Sequence, residues 1–129
     1  MALPTDEKID FMICDAVRQG PDGKLDIAGY YPTGEIKLDP ATPIPATLNL
    51  TFVFVLKDGE GRFRGILRLA DPLGNELLRF ELPEINKIAG FGHAMMMPVS
   101  QIPVTRSGNY AVSVELDGQK YQRLVRIYQ

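Results

Sequence analysis

The stretch LNLTFVFVLKDGEGRFRGILRLADPLGNELLRFEL, residues 48–82, decides the fold class. Apolar residues recur at every second position in three runs, and a strand sends every second side chain to the same face. Two segments separate the runs, KDGEGR at 57–62 and DPLGNE at 71–76. Both concentrate the glycine, aspartate, asparagine and proline that tight reversals require. The stretch therefore reads as an antiparallel meander.

Pairing Lys57 with Arg62 sets Leu56 against Phe63, Phe54 against Gly65, Phe52 against Leu67 and Leu50 against Leu69. Pairing Asp71 with Glu76 then sets Leu69 against Leu78 and Leu67 against Phe80. One face stays apolar across all three strands, and a slip of one residue would turn it to solvent. Phe54 beside Gly65 fits the packing of an aromatic ring over a strand glycine. The register predicts Phe52, Phe54, Leu67 and Phe80 sealed in the core.

The two ends of the chain follow the same alternation. Tyr110, Val112, Val114 and Leu116 lead into Asp117-Gly118, a strong two-residue hairpin signal. With Leu116 opposite Gln119, Tyr121 falls beside Val114 but Arg123 falls beside Val112, so a bulge or longer loop is expected there and the register of this hairpin stays open. Near the start, IDFMICDAV (9–17) and KLDIAGYY (24–31) flank QGPDG, another hairpin signal. It places Ile9, Phe11, Ile13 and Val17 on one face with Leu25 and Ile27 opposing. The segment PTGEIKLDPATPIPA, residues 32–46, is too rich in proline for a central strand and reads as a crossing between sheets. Sheets with one apolar face each must cover one another. The expectation is an all-β antiparallel sandwich of about seven to nine strands, one domain over residues 1–129.

Composition narrows the function classes. The 129 residues are 45% hydrophobic and 23% charged, with a net charge of -2, so a packed core is affordable and no global attraction to polyanions exists. The single cysteine, Cys14, excludes an intramolecular disulfide. No basic and apolar leader pattern opens the chain, and no segment approaches 18 uninterrupted apolar residues. A cytoplasmic address is expected, without membrane or nucleic-acid partners.

The segments MICDAVRQGPDGKLDIAGYYPTGEI and IPVTRSGNYAVSVELDGQKYQRLVRIY share a Cys-Asp, an Asp-Gly-Lys turn, a Gly-aromatic pair and a late Gly-x-Tyr strand. In these features the chain resembles a bacterial family of uncharacterised small proteins, the domain of unknown function DUF6941. The resemblance implies an immunoglobulin-like sandwich. It supplies no activity and no functional residues.

Candidate chemistry is sparse. FGHAMMMP, residues 91–98, holds the only histidine, and a strand would place His93, Met95 and Met97 on one face. An imidazole and two thioethers suit Cu(I), yet neighbours two apart on a strand are separated by about 7 Å. Ordinary core is the expected reading, because methionine fills irregular gaps. Cys14, His93 and Asn109 supply the residue types of a thiol nucleophile with base and orienter, but a strand cysteine lacks the helix terminus that activates a thiol. Asp15, Asp26, Glu81 and Glu84 show no spacing toward a shared cleft. Gly90-Phe91-Gly92 lacks the remaining features of a dinucleotide loop. No cofactor and no enzyme activity are expected.

The outward face of the meander offers more. Arg62, Arg64, Arg68 and Arg79 fall there, with Arg68 directly opposite Arg79, an arrangement that calls for an acid or anion between them. Against this, Glu76 and Glu81 can neutralise the face while arginine stems cover it. The chain is expected to act as a binding or assembly module, engaging another protein or a second copy through this face or an open edge strand. The alternatives are a thiol enzyme using Cys14 and His93, and a soft-metal carrier at His93, Met95 and Met97.

Overall fold

The computed structural model describes residues 2–129. The alternating runs become strands, labelled in chain order β1 (Ile9–Gln19), β2 (Leu25–Tyr30), β3 (Glu35–Lys37), β4 (Ala46–Leu56), β5 (Gly61–Phe63) and β6 (Gly65–Ala70). They continue as β7 (Glu76–Glu81), β8 (Ile85–Lys87), β9 (His93–Val104), β10 (Gly108–Leu116) and β11 (Gln119–Tyr128). Eight of these strands are six residues or longer, within the expected seven to nine. The three-residue strands β3, β5 and β8 bring the total to eleven. Strands that short carry too little periodicity to be read from sequence.

One sheet has the order β2-β1-β4-β9, and a second has the order β3-β11-β10-β6-β7. A two-stranded ribbon, β5-β8, stands apart from both. Every pairing is antiparallel except β3 with β11, which is parallel. One apolar cluster joins Ile13, Phe52 and Phe54 of the first sheet to Leu67, Tyr110 and Val114 of the second. Burying each phenylalanine contributes about 1.5–3 kcal/mol, and Phe52 and Phe54 are 1% and 0% exposed. The two sheets thus cover each other's apolar faces.

The β4–β6 pairing expected from the sequence does not form. β4 lies between β1 and β9, with Phe54 beside Phe11 and Met95, while β6 lies in the opposite sheet between β10 and β7. Residues 57–63 carry the chain across, held by bonds to distant segments. Lys57 N–H donates to the Lys8 carbonyl at 3.0 Å, and Glu60 exchanges two 2.9 Å backbone bonds with Ala2. Inward residues of β4 and β6 therefore meet across the core instead of side by side. Gly65 faces Leu82 and Ile85, whose methyl groups lie 3.0 and 3.2 Å from where a Cβ would stand, and not Phe54.

The second reversal does form the expected hairpin. Leu67 pairs with Phe80 and Leu69 with Leu78, with a register shift just before the turn that brings Ala70 opposite Glu76. Phe80, expected in the core, is 43% exposed. The reason is position: β7 is the last strand of its sheet, so no hydrogen-bonded strand covers the ring on one side.

At the C-terminus the hairpin is regular from Gly108/Ile127 to Leu116/Gln119, without the expected bulge. Arg123 keeps its place opposite Val112 because its guanidinium finds carbonyls. It donates to the Asp6 carbonyl at 3.0 Å and the Ile9 carbonyl at 3.1 Å, and pairs with the Asp6 carboxylate at 2.9 Å. The 32–46 segment crosses between sheets as expected, contributing only β3 at an edge.

Candidate functional site

The seam where β9, the last strand of one sheet, approaches the β7–β8 connection holds a recess of about 320 Å³. Leu82, Ile85, His93, Met95 and Met97 line it. His93, Met95 and Met97 share the inward face of β9, opposite Leu56, Phe54 and Phe52. Met95 and Met97 are each 7% exposed and belong to the core cluster. Burial, and then the nearby Lys87 ammonium, push the His93 imidazole below its ordinary value. His93 is neutral near pH 7, and the same Lys87 charge would repel a metal cation arriving there.

Lys87 is itself 2% exposed, with its ammonium donating to the Gly59 carbonyl at 3.1 Å and the Ile88 carbonyl at 3.0 Å. It ties the β4–β5 crossing to the β8–β9 loop. Sequence reading missed it, although Lys87 stands two residues after the buried Ile85, at inward parity. Asn49, exposed on β4, carries a second tie that its sequence position did not announce. Its side-chain oxygen accepts from the Gln101 N–H at 2.8 Å, where the β4–β9 register shifts and Gln101 takes φ 57°.

The structure does not bring Cys14, His93 and Asn109 together. Cys14 is opposite Thr51 and His93 opposite Leu56, five residues farther along β4, which is roughly 16 Å of strand. They also face opposite sides of that sheet, since Cys14 shares its side with Thr51 and His93 shares its side with Leu56. Asn109 belongs to β10 in the other sheet. The Cys14 thiol is fully buried, 3.8 Å from the Thr51 carbonyl, and burial followed by the Asp15 charge pushes its pKa up. A thiol in that state is a packed hydrophobe.

The carboxylates are similarly dispersed. Asp15 accepts from the Tyr31 hydroxyl at 3.0 Å; burial, and then this bond and the Asp15 charge, raise the phenol's pKa. Asp26 pairs with Arg18 at 3.1 Å and Glu84 with Arg62 at 3.7 Å. Among the described residues no group of three or more His, Cys, Asp and Glu side chains is placed to hold a metal ion.

Of the four arginines expected to form one basic patch, only two stand side by side. Arg68 and Arg79 are direct cross-strand neighbours, as the sequence register required. Arg68 is neutralised by Glu76 and Glu115, each at 3.3 Å, with its Nε buried and without a hydrogen-bond partner. Arg62 belongs to the β5–β8 ribbon. Arg64 borders a hollow shared with Glu81 and Glu84, and its backbone N–H donates to Asp117 at 2.8 Å. The face is a mosaic of both signs, because the crossing after β4 moved Arg62 off the sheet and the glutamates fall between the rest.

Arg79 and Glu81 differ from their neighbours. Both lie on the exposed side of β7, and neither makes an ion pair among the described residues. With the half-exposed Phe80 between them, they form the free border of the five-stranded sheet. Among the described residues no helix is long and apolar enough to cross a membrane.

No curated protein matches the chain in sequence. Among solved structures it is similar to the Pseudomonas fluorescens alkylpurine DNA glycosylase AlkC bound to DNA containing an abasic site analog, at 11% identity and a TM-score of 0.48. The match covers 95% of this chain and 31% of that one, so the chain spans about a third of the glycosylase's length. A family model described as a family of unknown function, DUF6941, matches residues 9–125, and the chain belongs to that family.

Proposed function

We propose that the chain is a non-enzymatic binding or assembly module, bacterial and cytoplasmic, that engages a polypeptide along the free edge of β7. The observation that carries this reading is Phe80, a large apolar side chain 43% exposed on a strand with one unpaired border. An uncovered edge presents backbone donors and acceptors in register for a further strand. An apolar anchor and two unpaired charges on that strand add side-chain specificity. The other borders are less available: β9 is interrupted by Pro98 and Pro103, and β3 has three residues. The Tyr110 hydroxyl donates to the Arg106 carbonyl at 2.7 Å, four residues back, which supports the immunoglobulin-like build that the family resemblance implies.

The separation of Cys14 from His93 speaks for binding over thiol chemistry. Lys87 beside His93 speaks against a cation carrier. Partner capture by the tagged full chain tests the reading, with Phe80→Asp and Arg64→Glu compared to wild type. Capture lost in a folded Phe80→Asp variant and kept in Arg64→Glu is the expected result. Capture that survives Phe80→Asp removes the β7 edge from the account.

A further inference from the structure

The β7 edge carries enough information to name its partner. In the β6–β7 ladder the Leu82 N–H donates to the Gly65 carbonyl at 2.9 Å, and Phe80 and Leu78 pair with Leu67 and Leu69 in the same phase. Antiparallel strands alternate, so Leu78, Phe80 and Leu82 direct their backbone groups to β6. Leu77, Arg79 and Glu81 direct theirs to the free side. Any strand added there must bond to Arg79 and Glu81.

We infer that the added strand is the β7 of a second copy, antiparallel about a two-fold axis at Phe80, so that Arg79 of each copy faces Glu81 of the other. This rests on the edge reading above and specifies its partner. A two-fold perpendicular to the sheet requires paired residues to share a face, which restricts the register to even offsets. Centring on Arg79 would set like charges opposite each other, and centring on Leu78 would set Leu77 against Arg79. Centring on Phe80 gives two Arg79–Glu81 pairs, a Phe80–Phe80 pair and two Leu78–Leu82 pairs. The charged pairs occupy hydrogen-bonded positions, with both backbone bonds available. The phenylalanines occupy the closer, non-hydrogen-bonded position, where an aromatic pair gains most.

The same register answers a question that the isolated chain leaves open. Arg79 stands opposite Arg68, whose own charge is taken up by Glu76 and Glu115. The second copy's Glu81 brings the missing acid to Arg79. None of the three rival edges offers this match, the three-residue β3 being too short for it. β2 has its acid, Asp26, paired to Arg18 and is kinked at Gly29, φ 67°, and the proline-broken β9 cannot donate throughout.

Pairing along one short strand buries little beside a standard interface of about 1,600 Å², so the dimer is weak, with a Kd between roughly micromolar and millimolar. Sedimentation velocity of the full chain up to about 1 mM tests it. Concentration-dependent dimers are expected, weakened about tenfold or more in Arg79→Glu and in Glu81→Arg, each of which faces its own copy with like charges. Mixing the two variants restores association, because each then meets its complement. The double exchange Arg79→Glu/Glu81→Arg restores it within one chain. Loss of folding does not imitate this pattern, since a glutamate at 79 sits opposite Arg68 and is locally favourable.

A wild-type chain monomeric at 1 mM overturns the inference. If Phe80→Asp nevertheless abolishes partner capture, the edge reading stands with a different partner; if capture is also unchanged, both fall. Dimers indifferent to both charge reversals place the contact elsewhere and equally overturn it.

Discussion

The chain reverses after β4 through KDGEGR and after β6 through DPLGNE, and only the second reversal makes a hairpin. Their compositions are close, but their hydrogen bonds go to different places. In the second, the Asp71 carboxylate accepts from the N–H groups of Leu73 and Asn75, both at 2.9 Å, and from the Asn75 amide at 3.2 Å. The Gly74 N–H donates to the Asp71 carbonyl at 2.9 Å. Four residues of the turn, Asp71, Leu73, Gly74 and Asn75, satisfy one another. In the first, Asp58 accepts from the Thr5 N–H at 2.9 Å and its hydroxyl at 2.7 Å, Glu60 bonds Ala2, and the Gly59 carbonyl accepts from Lys87. A turn that satisfies itself determines which strand comes next to which. A turn whose partners lie far off along the chain leaves that choice to the rest of the fold.

The largest test of this contrast lies in the strands that each reversal delivers. Phe54 is enclosed between layers that the first reversal sets face to face, so Phe54→Ala should cost about 3–5 kcal/mol by opening a cavity. Phe80, delivered to an edge by the second, should cost less than about 1 kcal/mol on the same change, measured on the monomer by urea denaturation. Equal losses would mean that Phe80 is enclosed after all.

A smaller effect separates the turns themselves. Gly59 and Gly74 have nearly the same backbone, φ 88° and φ 87°, which L side chains rarely adopt. A Cβ at Gly74 meets nothing within 4 Å, whereas one at Gly59 would lie 2.9 Å from the Ala2 carbonyl oxygen and the Pro4 nitrogen. Alanine at Gly74 should cost about 1 kcal/mol for the conformation alone, and at Gly59 about 2–3 kcal/mol because the N-terminal segment must also move. Thermal melts of the two variants would show the difference directly. Matching shifts would deny the distant anchoring of the first turn.

The smallest effect is in pH. The Thr5 hydroxyl and N–H hold the Asp58 carboxyl below the usual carboxylate range, and chiefly the Asn75 N–H does the same for Asp71. A carboxyl depressed in the folded state contributes stability above its unfolded pKa, about 3.9, and loses it as the pH falls through the lower folded value. Stability should therefore decline below about pH 4, and Asp58→Asn or Asp71→Asn should each flatten the decline. Amide exchange in alanine variants, which lose the acceptor altogether, distinguishes them: Asp58→Ala should release the protection of Thr5, and Asp71→Ala only that of Leu73 and Asn75.

The same distinction sorts what was readable beforehand. Pairings set by a self-contained turn were legible: Leu67 with Phe80 and Leu69 with Leu78 occur in the expected register, and Asp117-Gly118 and QGPDG do join hairpins, whose registers the alternation alone did not fix. The core role of Met95 and Met97 was legible from strand parity. The neighbours of β4 were not, because its inward residues match β6 equally well as a lateral partner or as a facing layer. At the candidate site, the Arg68–Arg79 contact followed from a local turn and held. The wider arginine patch depended on the β4–β6 hairpin, and it dissolved when Arg62 moved to the ribbon with β8. Arg123 and Lys87 looked anomalous or went unremarked because their acceptors, the carbonyls of Asp6, Ile9, Gly59 and Ile88, carry no signature in sequence.

Alternation along this chain determined by itself which side chains share a face of their strand and that the protein is all-β, since the side a strand residue faces depends on its own position alone. Which strand lies beside which, and hence which edge is left open with Arg79, Phe80 and Glu81 on it, was decided only in three dimensions. Lateral pairing is a competition among all strands at once, settled by hydrogen bonds between segments that are distant in sequence.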